Sequence, residues 1–446
     1  MPPKAALLLC IIFIIVLFIR DIKQKPRISG ALWVPTIWIM LIASRPVSLW
    51  LNLGVPVVST GQEQYLEGSP VDRNVYLAFI LAGLFILLRR RRDWGLIIRR
   101  NIWLVLFLAY CGVSILWSDY SFVAFKRWVK ELGNFIMVMI IITELYPVEA
   151  IKAVYRRLAY LLLPLSLVFI KYFPEMGRCF TPTGDAMYTG VSTHKNSFGV
   201  LCLICFLMFL WNLLRIRVKG FKFSDNREAL IYVFFIFMIM WLLNMADSAT
   251  CILCCCIGSF ILIGLDIPFI KGNVRYIGAY VLFFLCVFFF LQFSVDITSL
   301  VISGLDRDVT LTGRIPLWAE LIDFDINPLI GKGYMSFWMG EVLEILGAKY
   351  WWQPHQAHNG YLEIYLNLGL IGVLLLAGII VSFFRDIMKK IIQGIDLQKL
   401  RLAFLVVALF ANLTEGYITG LSQIWFIFLL MAMASSGTNE VFAKRR

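Results

Sequence analysis

DRDVTLTGRIPLWAELIDFDINPLIGKGYMSFWMGEVLEILGAKYWWQPHQAHN, residues 306–359, is the longest polar interval between apolar segments of the chain, and it holds two of the three histidines. Continuous apolar runs flank it on both sides, so its reading separates membrane scaffold from candidate chemistry. With 60% hydrophobic residues, 15% charged residues and a mean hydropathy of +0.81, a 446-residue chain is too apolar for a soluble globule.

Outward from that stretch, runs of about 15 to 25 apolar residues match the length a helix needs to cross hydrocarbon. They fall at 5–19, 30–51, 74–88, 102–117, 129–145, 158–172, 197–214, 229–245, 249–265, 275–294, 360–384, 401–416 and 421–434. The expectation is an all-α polytopic membrane protein of 12 to 13 spans. It divides into an N-terminal bundle (1–294), a long external loop with short helices (295–359) and C-terminal helices (360–446). Spanning strands are excluded because the runs do not alternate and a lipid-embedded backbone must satisfy its own hydrogen bonds. The first run lacks a small-residue cleavage site before the basic segment from Arg20 to Arg27, so it is expected to remain as an anchor.

Basic residues set the orientation, because cytoplasmic loops are enriched in Lys and Arg. One set of alternate loops, with the C-terminal tail, carries 28 of the 41 basic residues. With thirteen spans, residues 306–359 then lie outside. The formal charge of +13 is accounted for by this asymmetry and by attraction to anionic headgroups, so nucleic-acid binding is excluded. Nine of the ten cysteines lie inside apolar runs, where Cys behaves as a small apolar residue; Cys179 is external and alone.

Polar residues collect at the external ends. Lys126, Arg127 and Lys130 follow the fourth span against the charge rule, which fits either topological indifference or an anionic ligand. His194, Lys195 and Asn196 precede the seventh span, where helix amides and a Lys charge can cradle phosphate; snorkelling to water is the plain alternative. In the long loop, Thr312 and Gly313 can cap a short helix with Arg314 at its start and Leu317, Trp318, Leu321 and Ile322 on one apolar face. Met335, Phe337, Trp338 and the Tyr350-Trp351-Trp352 trio suit either an interfacial aromatic belt or sugar stacking. His355 and His358 stand before the eleventh span as polar anchors or as a general base. Without an HExxH pattern or paired external Cys, three histidines give weak grounds for zinc.

TGRIPLWAELI (312–322), NPLIGKGYMSFW (327–338) and HQAHNGYLEIYLNLGLIG (355–372), with HKNSFG (194–199) and NLTEG (412–416), resemble the O-antigen ligase and polymerase superfamily. Within it the chain is most similar to exopolysaccharide polymerases of the succinoglycan-production type. The resemblance runs from EGSPVDR (67–73) to NLTEG. It departs at DSAT (247–250), where such proteins often carry a basic residue.

The resemblance implies a glycosyltransferase C-type membrane fold in a bacterial inner membrane, with the active site facing the periplasm. The donor is an undecaprenyl-pyrophosphate-linked glycan, the acceptor is another glycan, and flippase and chain-length regulator proteins are possible partners. No metal or other cofactor is implied. His358 and Arg314 become the catalytic pair, and His194, Lys195, Asn196, Arg127, His355, Asn359 and Glu415 the substrate-binding set. Two acceptors stay open: a second lipid-linked repeat, for a polymerase, or a lipopolysaccharide core sugar, for a ligase. A transporter is disfavoured because the apolar runs are nearly free of charge. The long loop is expected to act as a tethered lid that brings Arg314 and His358 to His194 and Lys195.

Overall fold

The computed structural model describes residues 1–24, 27–51, 69–180, 184, 186–218, 223–273, 276, 314–350, 354–391 and 395–433. The tenth apolar run (275–294) and the capping pair Thr312-Gly313 fall almost wholly or wholly outside them. At the other twelve runs the described residues are helical, as expected of an all-α membrane protein. The principal helices are α1 (Pro3–Lys23), α2 (Trp33–Ala43), α3 (Pro70–Arg89), α4 (Trp94–Arg100), α5 (Ile102–Val113), α6 (Ser121–Ile142), α7 (Pro147–Tyr172), α8 (Lys195–Val218), α9 (Phe223–Ala246), α10 (Ala249–Gly264), α11 (Arg314–Asp323), α12 (Glu341–Lys349), α13 (Gly360–Ile391), α14 (Ile395–Thr414) and α15 (Gln423–Met433). A short antiparallel hairpin, β1 (Arg178–Phe180) with β2 (Ala186–Tyr188), lies between α7 and α8.

Among the described residues, seven helices are long and apolar enough to cross a membrane, and α4 with the helical run from Ile102 to Trp117 makes an eighth if that pair, bent by 87°, is one broken span. The others are shorter or more polar than a plain span. At eleven residues α15 is about 16 Å long, roughly half a hydrocarbon core. It is buried nearly all round, so it reads as a core helix wrapped by its neighbours.

Polar residues inside the bundle tie helices together. Glu131, on α6, accepts from Trp425 Nε1 on α15 and from the Tyr334 hydroxyl at 3.3 Å. Asp21 binds Arg156 and, at 2.8 Å, Arg157, joining α1 to α7, while Arg90 binds Glu144. Several cations of the inside-positive set are therefore bound to buried carboxylates, where losing one partner strands the other charge. The apolar runs are less free of charge than expected, since Glu131 and Glu363 both sit within helices.

The long loop is anchored in the bundle. Leu317 and Leu321 of α11 are fully buried with Phe337, Trp338 and Leu346 in a small core of their own. Ile322, expected on the same face, is 58% exposed, because it lies about 100° around the helix from Leu321. Phe337 and Trp338 are core residues, so stacking on a sugar is not open to them, while Trp351 and Trp352 lie outside the described residues.

The deepest anchor is at Gly369, where α13 breaks with φ +63°. Asn327–Gly333 fits into this break: Leu370 N–H donates to the Pro328 carbonyl (2.9 Å) and Ile371 N–H to Leu329 (3.2 Å), while Lys332 and Gly333 donate back to Leu366 (3.0 Å) and Asn367 (2.8 Å). Both sides are glycine where they touch. A Cβ on Gly369 would lie 2.3 Å from the Leu329 backbone, and one on Gly331 (φ +68°) 2.5 Å from Asn367. The Asn367 side chain completes the clamp by accepting from Ser336 and Phe337 N–H at 2.8 and 3.1 Å.

Gly369→Ala combines a left-handed backbone with a main-chain collision and should cost roughly 2 kcal/mol or more. The expected result in detergent is a thermal midpoint several degrees lower, whereas Gly264→Ala, which meets nothing within 4 Å, should leave it unchanged. Equal midpoints for the two variants would contradict the clamp.

Candidate functional site

A carboxylate organises the site. Glu415, one residue beyond α14, is 6% exposed, and its two oxygens receive donors from three other segments. Oε1 accepts from Asn196 Nδ2 at the start of α8 (2.8 Å) and from Arg314 Nη2 at the start of α11 (3.2 Å). Oε2 pairs with His358 Nδ1 (2.8 Å) and lies 3.4 Å from Gln356 Nε2. Arg314 also donates through Nη1 to the Thr414 carbonyl, which locks the guanidinium over the end of α14. Burial pushes Glu415 up, but the hydrogen bond and charge of His358, with Arg314 and His194, outweigh it and hold the carboxyl below its ordinary value.

Three features aim His358 at this carboxylate. Its backbone is left-handed (φ +50°), uncommon for a residue with a side chain and characteristic of functional turns. The next residue, Asn359, caps α13 by accepting from Tyr361 and Leu362 N–H at 3.1 and 3.2 Å. The preceding residue is pinned from both sides: Trp318 Nε1 donates to the Ala357 carbonyl (2.6 Å), and Ala357 N–H donates to Glu363. Glu363 is held in turn by Trp338 Nε1, at 2.8 and 2.9 Å from its two oxygens. In the tautomer whose Nδ1–H donates to Glu415, Nε2 is the nitrogen that carries the lone pair.

Asn196, Gln356, His358 and Glu415 wall a cavity of about 290 Å³ together with His194, Ser197, Tyr417 and Gln423; Arg314 reaches Glu415 without lining it. Asn196, Ser422 and Gln423 stand at the N-terminal ends of α8 and α15, and His358 precedes α13. Two helix N-termini, those of α8 and α15, thus stand at this space, and their dipoles favour an anion there. Gln423 is buried; its Nε2 donates to the Ser197 carbonyl (3.0 Å), and among the described residues its Oε1 accepts nothing. A buried carbonyl oxygen without a donor, on a cavity wall, is suited to a ligand hydroxyl.

The structure brings His194, Asn196, His358 and Glu415 to one cavity and Arg314 to the same carboxylate, but the other expected site residues have different surroundings. Lys195 reaches Asp247 Oδ2 at 3.4 Å, so the acid of the DSAT segment offsets its charge. Arg127 donates to the Met335 carbonyl and does not line the cavity. His355 is exposed and away from it, and the Asn359 side chain caps a helix. Gln356, Glu363 and Gln423 were not singled out in the sequence. Glu363 had a signal, a lone acid at the start of an apolar run; Gln356 and Gln423 had none.

No protein-family model matches the chain. A 104-residue stretch is 30% identical to the exopolysaccharide production protein ExoQ of Rhizobium meliloti (strain 1021), covering 21% of this chain and 23% of that protein. The chain is thus an all-α polytopic membrane protein with a distant, partial similarity to a polysaccharide-related one.

Proposed function

We propose that the protein is a membrane glycosyltransferase that polymerises lipid-linked oligosaccharide repeats into an exopolysaccharide. The observation that carries this reading is the His358–Glu415 pair on the wall of a cavity at the N-terminal ends of α8 and α15, with Arg314 bound to the same carboxylate. Such an arrangement supplies a base held by a carboxylate beside fixed positive potential, which glycosyl transfer from a diphosphate donor requires.

In this reaction His358 Nε2 takes the proton of the acceptor hydroxyl as its oxygen attacks the anomeric carbon. The bond from that carbon to the diphosphate oxygen breaks, and the lipid diphosphate leaves with the electron pair. Glu415 holds the imidazole in orientation and stabilises the imidazolium. The leaving group needs charge stabilisation rather than a proton, and the N-terminal ends of α8 and α15, with the positive charge of Arg314 behind Glu415, provide it. Direct attack inverts the anomeric centre. Neutralised by Asp247, Lys195 contributes less than its formal charge, and Arg127 acts through the Met335 loop. Gln423 Oε1 accepts a sugar hydroxyl. The donor is an undecaprenyl-pyrophosphate glycan in a bacterial inner membrane, and the cavity opens to the periplasm. Similarity to an exopolysaccharide production protein favours a second repeat unit over lipopolysaccharide core as acceptor.

In a strain lacking the protein, His358→Ala should lower polymer formation by about 10²- to 10⁴-fold. Arg314→Ala should also abolish long polymer, and both variants should still insert into the membrane. Wild-type chain-length profiles from either would remove that residue from the mechanism. Loss of core-attached glycan with polymer length unchanged would make the protein a ligase.

Glu415→Gln keeps an acceptor for His358 but removes the charge, so it should reduce turnover more than donor binding. It should also flatten the acid sensitivity of folding. A carboxyl held below its ordinary value stabilises the fold above that value and ceases to do so as the pH falls through it. Thermal midpoints measured from pH 6 to pH 3.5 should therefore fall more steeply for the wild type.

For topology, cysteines replacing Thr193 and His355, both exposed, should react with an impermeant thiol reagent from the periplasmic side when Cys179 and Cys256 are serine. Labelling only from the cytoplasm would sink the external site.

A further inference from the structure

At the end of α13 opposite His358 lies a second, larger cavity of about 520 Å³, between α13 and the α4–α5 bend. Its walls are apolar, with Trp103 laid against Gly378 so closely that a Cβ there would come within 2.3 Å of the indole, and Phe383 beside it. Its rim is basic: Arg100 from α4, and Arg385, Lys389 and Lys390 from the last turns of α13. Among the described residues the single acid in the lining, Asp386, is already bound by Arg401 at 2.8 Å and by Lys390 at 3.1 Å. Arg401 is fully buried beneath it. The cavity therefore keeps an excess of positive charge after its own acid is accounted for, above a hydrophobic floor.

An inside-positive bias accounts for cations scattered along a membrane face; it does not account for four of them around one cavity with an apolar floor. That pairing of surfaces matches an amphiphile whose head carries a phosphate and whose chains run along the helices. We propose that this cavity binds the headgroup of an anionic phospholipid, with Arg385 and Lys389 as its principal phosphate contacts and Trp103 packing against the glycerol and upper acyl chains. The bound lipid fills the corner left by the bent α4–α5 pair and fastens it to α13. The site is separate from the one around Glu415 and stands or falls independently of the proposed reaction.

The test uses purified full-length protein in phosphatidylcholine nanodiscs doped with phosphatidylglycerol, with retained lipid counted by native mass spectrometry after release. The wild type should retain phosphatidylglycerol in preference to phosphatidylcholine. Arg385→Gln/Lys389→Gln should weaken that retention about tenfold or more, on the basis of about 1 kcal/mol per basic residue. The charge-conserving Arg385→Lys/Lys389→Arg variant should largely keep it, which guards against misfolding as the cause. Removing two equivalent charges at the end of α1, Arg20→Gln/Lys23→Gln, should have little effect. Equal losses from the two charge-removing variants, or no preference for phosphatidylglycerol, would overturn the proposal. Competition by millimolar inorganic phosphate as effective as that by lipid would assign the site to a free phosphate instead.

Discussion

A peptide group in hydrocarbon has no water to fall back on, and the break in α13 at Gly369 is where this constraint bears hardest. Helical hydrogen bonds are lost there, and the Asn327–Gly333 segment supplies their replacements through reciprocal main-chain bonds. Two glycines make the approach possible, and Asn367 fastens the flank. Everything downstream depends on it. The segment leads into the Tyr334–Trp338 stretch that holds Glu363, Glu363 holds Ala357, and Ala357 sets the place of His358. A defect at this buried break is thereby transmitted, through a chain of hydrogen bonds, to the imidazole beside Glu415.

The division between scaffold and chemistry differs from what the motifs suggest. NPLIGKGYMSFW stands out in sequence as strongly as HQAHN or HKNSFG, yet its residues plug the helix break and fill a small core. The proposed chemistry rests on single side chains, Arg314, His358, Asn196 and Glu415, each at the end of a helix. Helix ends serve this purpose because they combine main-chain donors with proximity to the polar boundary.

The all-helical membrane character was legible from the length and continuity of the apolar runs, and helix positions follow them closely. His194, Asn196, Arg314 and His358 were legible as polar residues at span ends. That Asn196, Arg314 and His358 share one carboxylate was not, because Glu415 lies 57 residues from His358, 101 from Arg314 and 219 from Asn196. Pairing at such separations is set by helix packing, which no local pattern encodes. The same limit explains Lys195 and Arg127: formal charge suggested anion contacts, and only three-dimensional neighbours disclosed Asp247 and the Met335 carbonyl. Phe337 and Trp338 misled for the opposite reason, since an aromatic run reads alike whether it faces an interface or a core.

The wide spacing of the donors on Glu415 has a consequence for biogenesis. During synthesis, Asn196, Arg314 and His358 all emerge before their acceptor, which stands only 31 residues from the C-terminal end of the sequence. Until α14 is in place, these groups have no common partner and the cavity has no organised base. The polar cluster is therefore joined in one late event, when the carboxylate arrives, and its cavity is walled only when α15 follows. A chain that has not yet reached Glu415 leaves Asn196, Arg314 and His358 without the carboxylate that joins three distant segments.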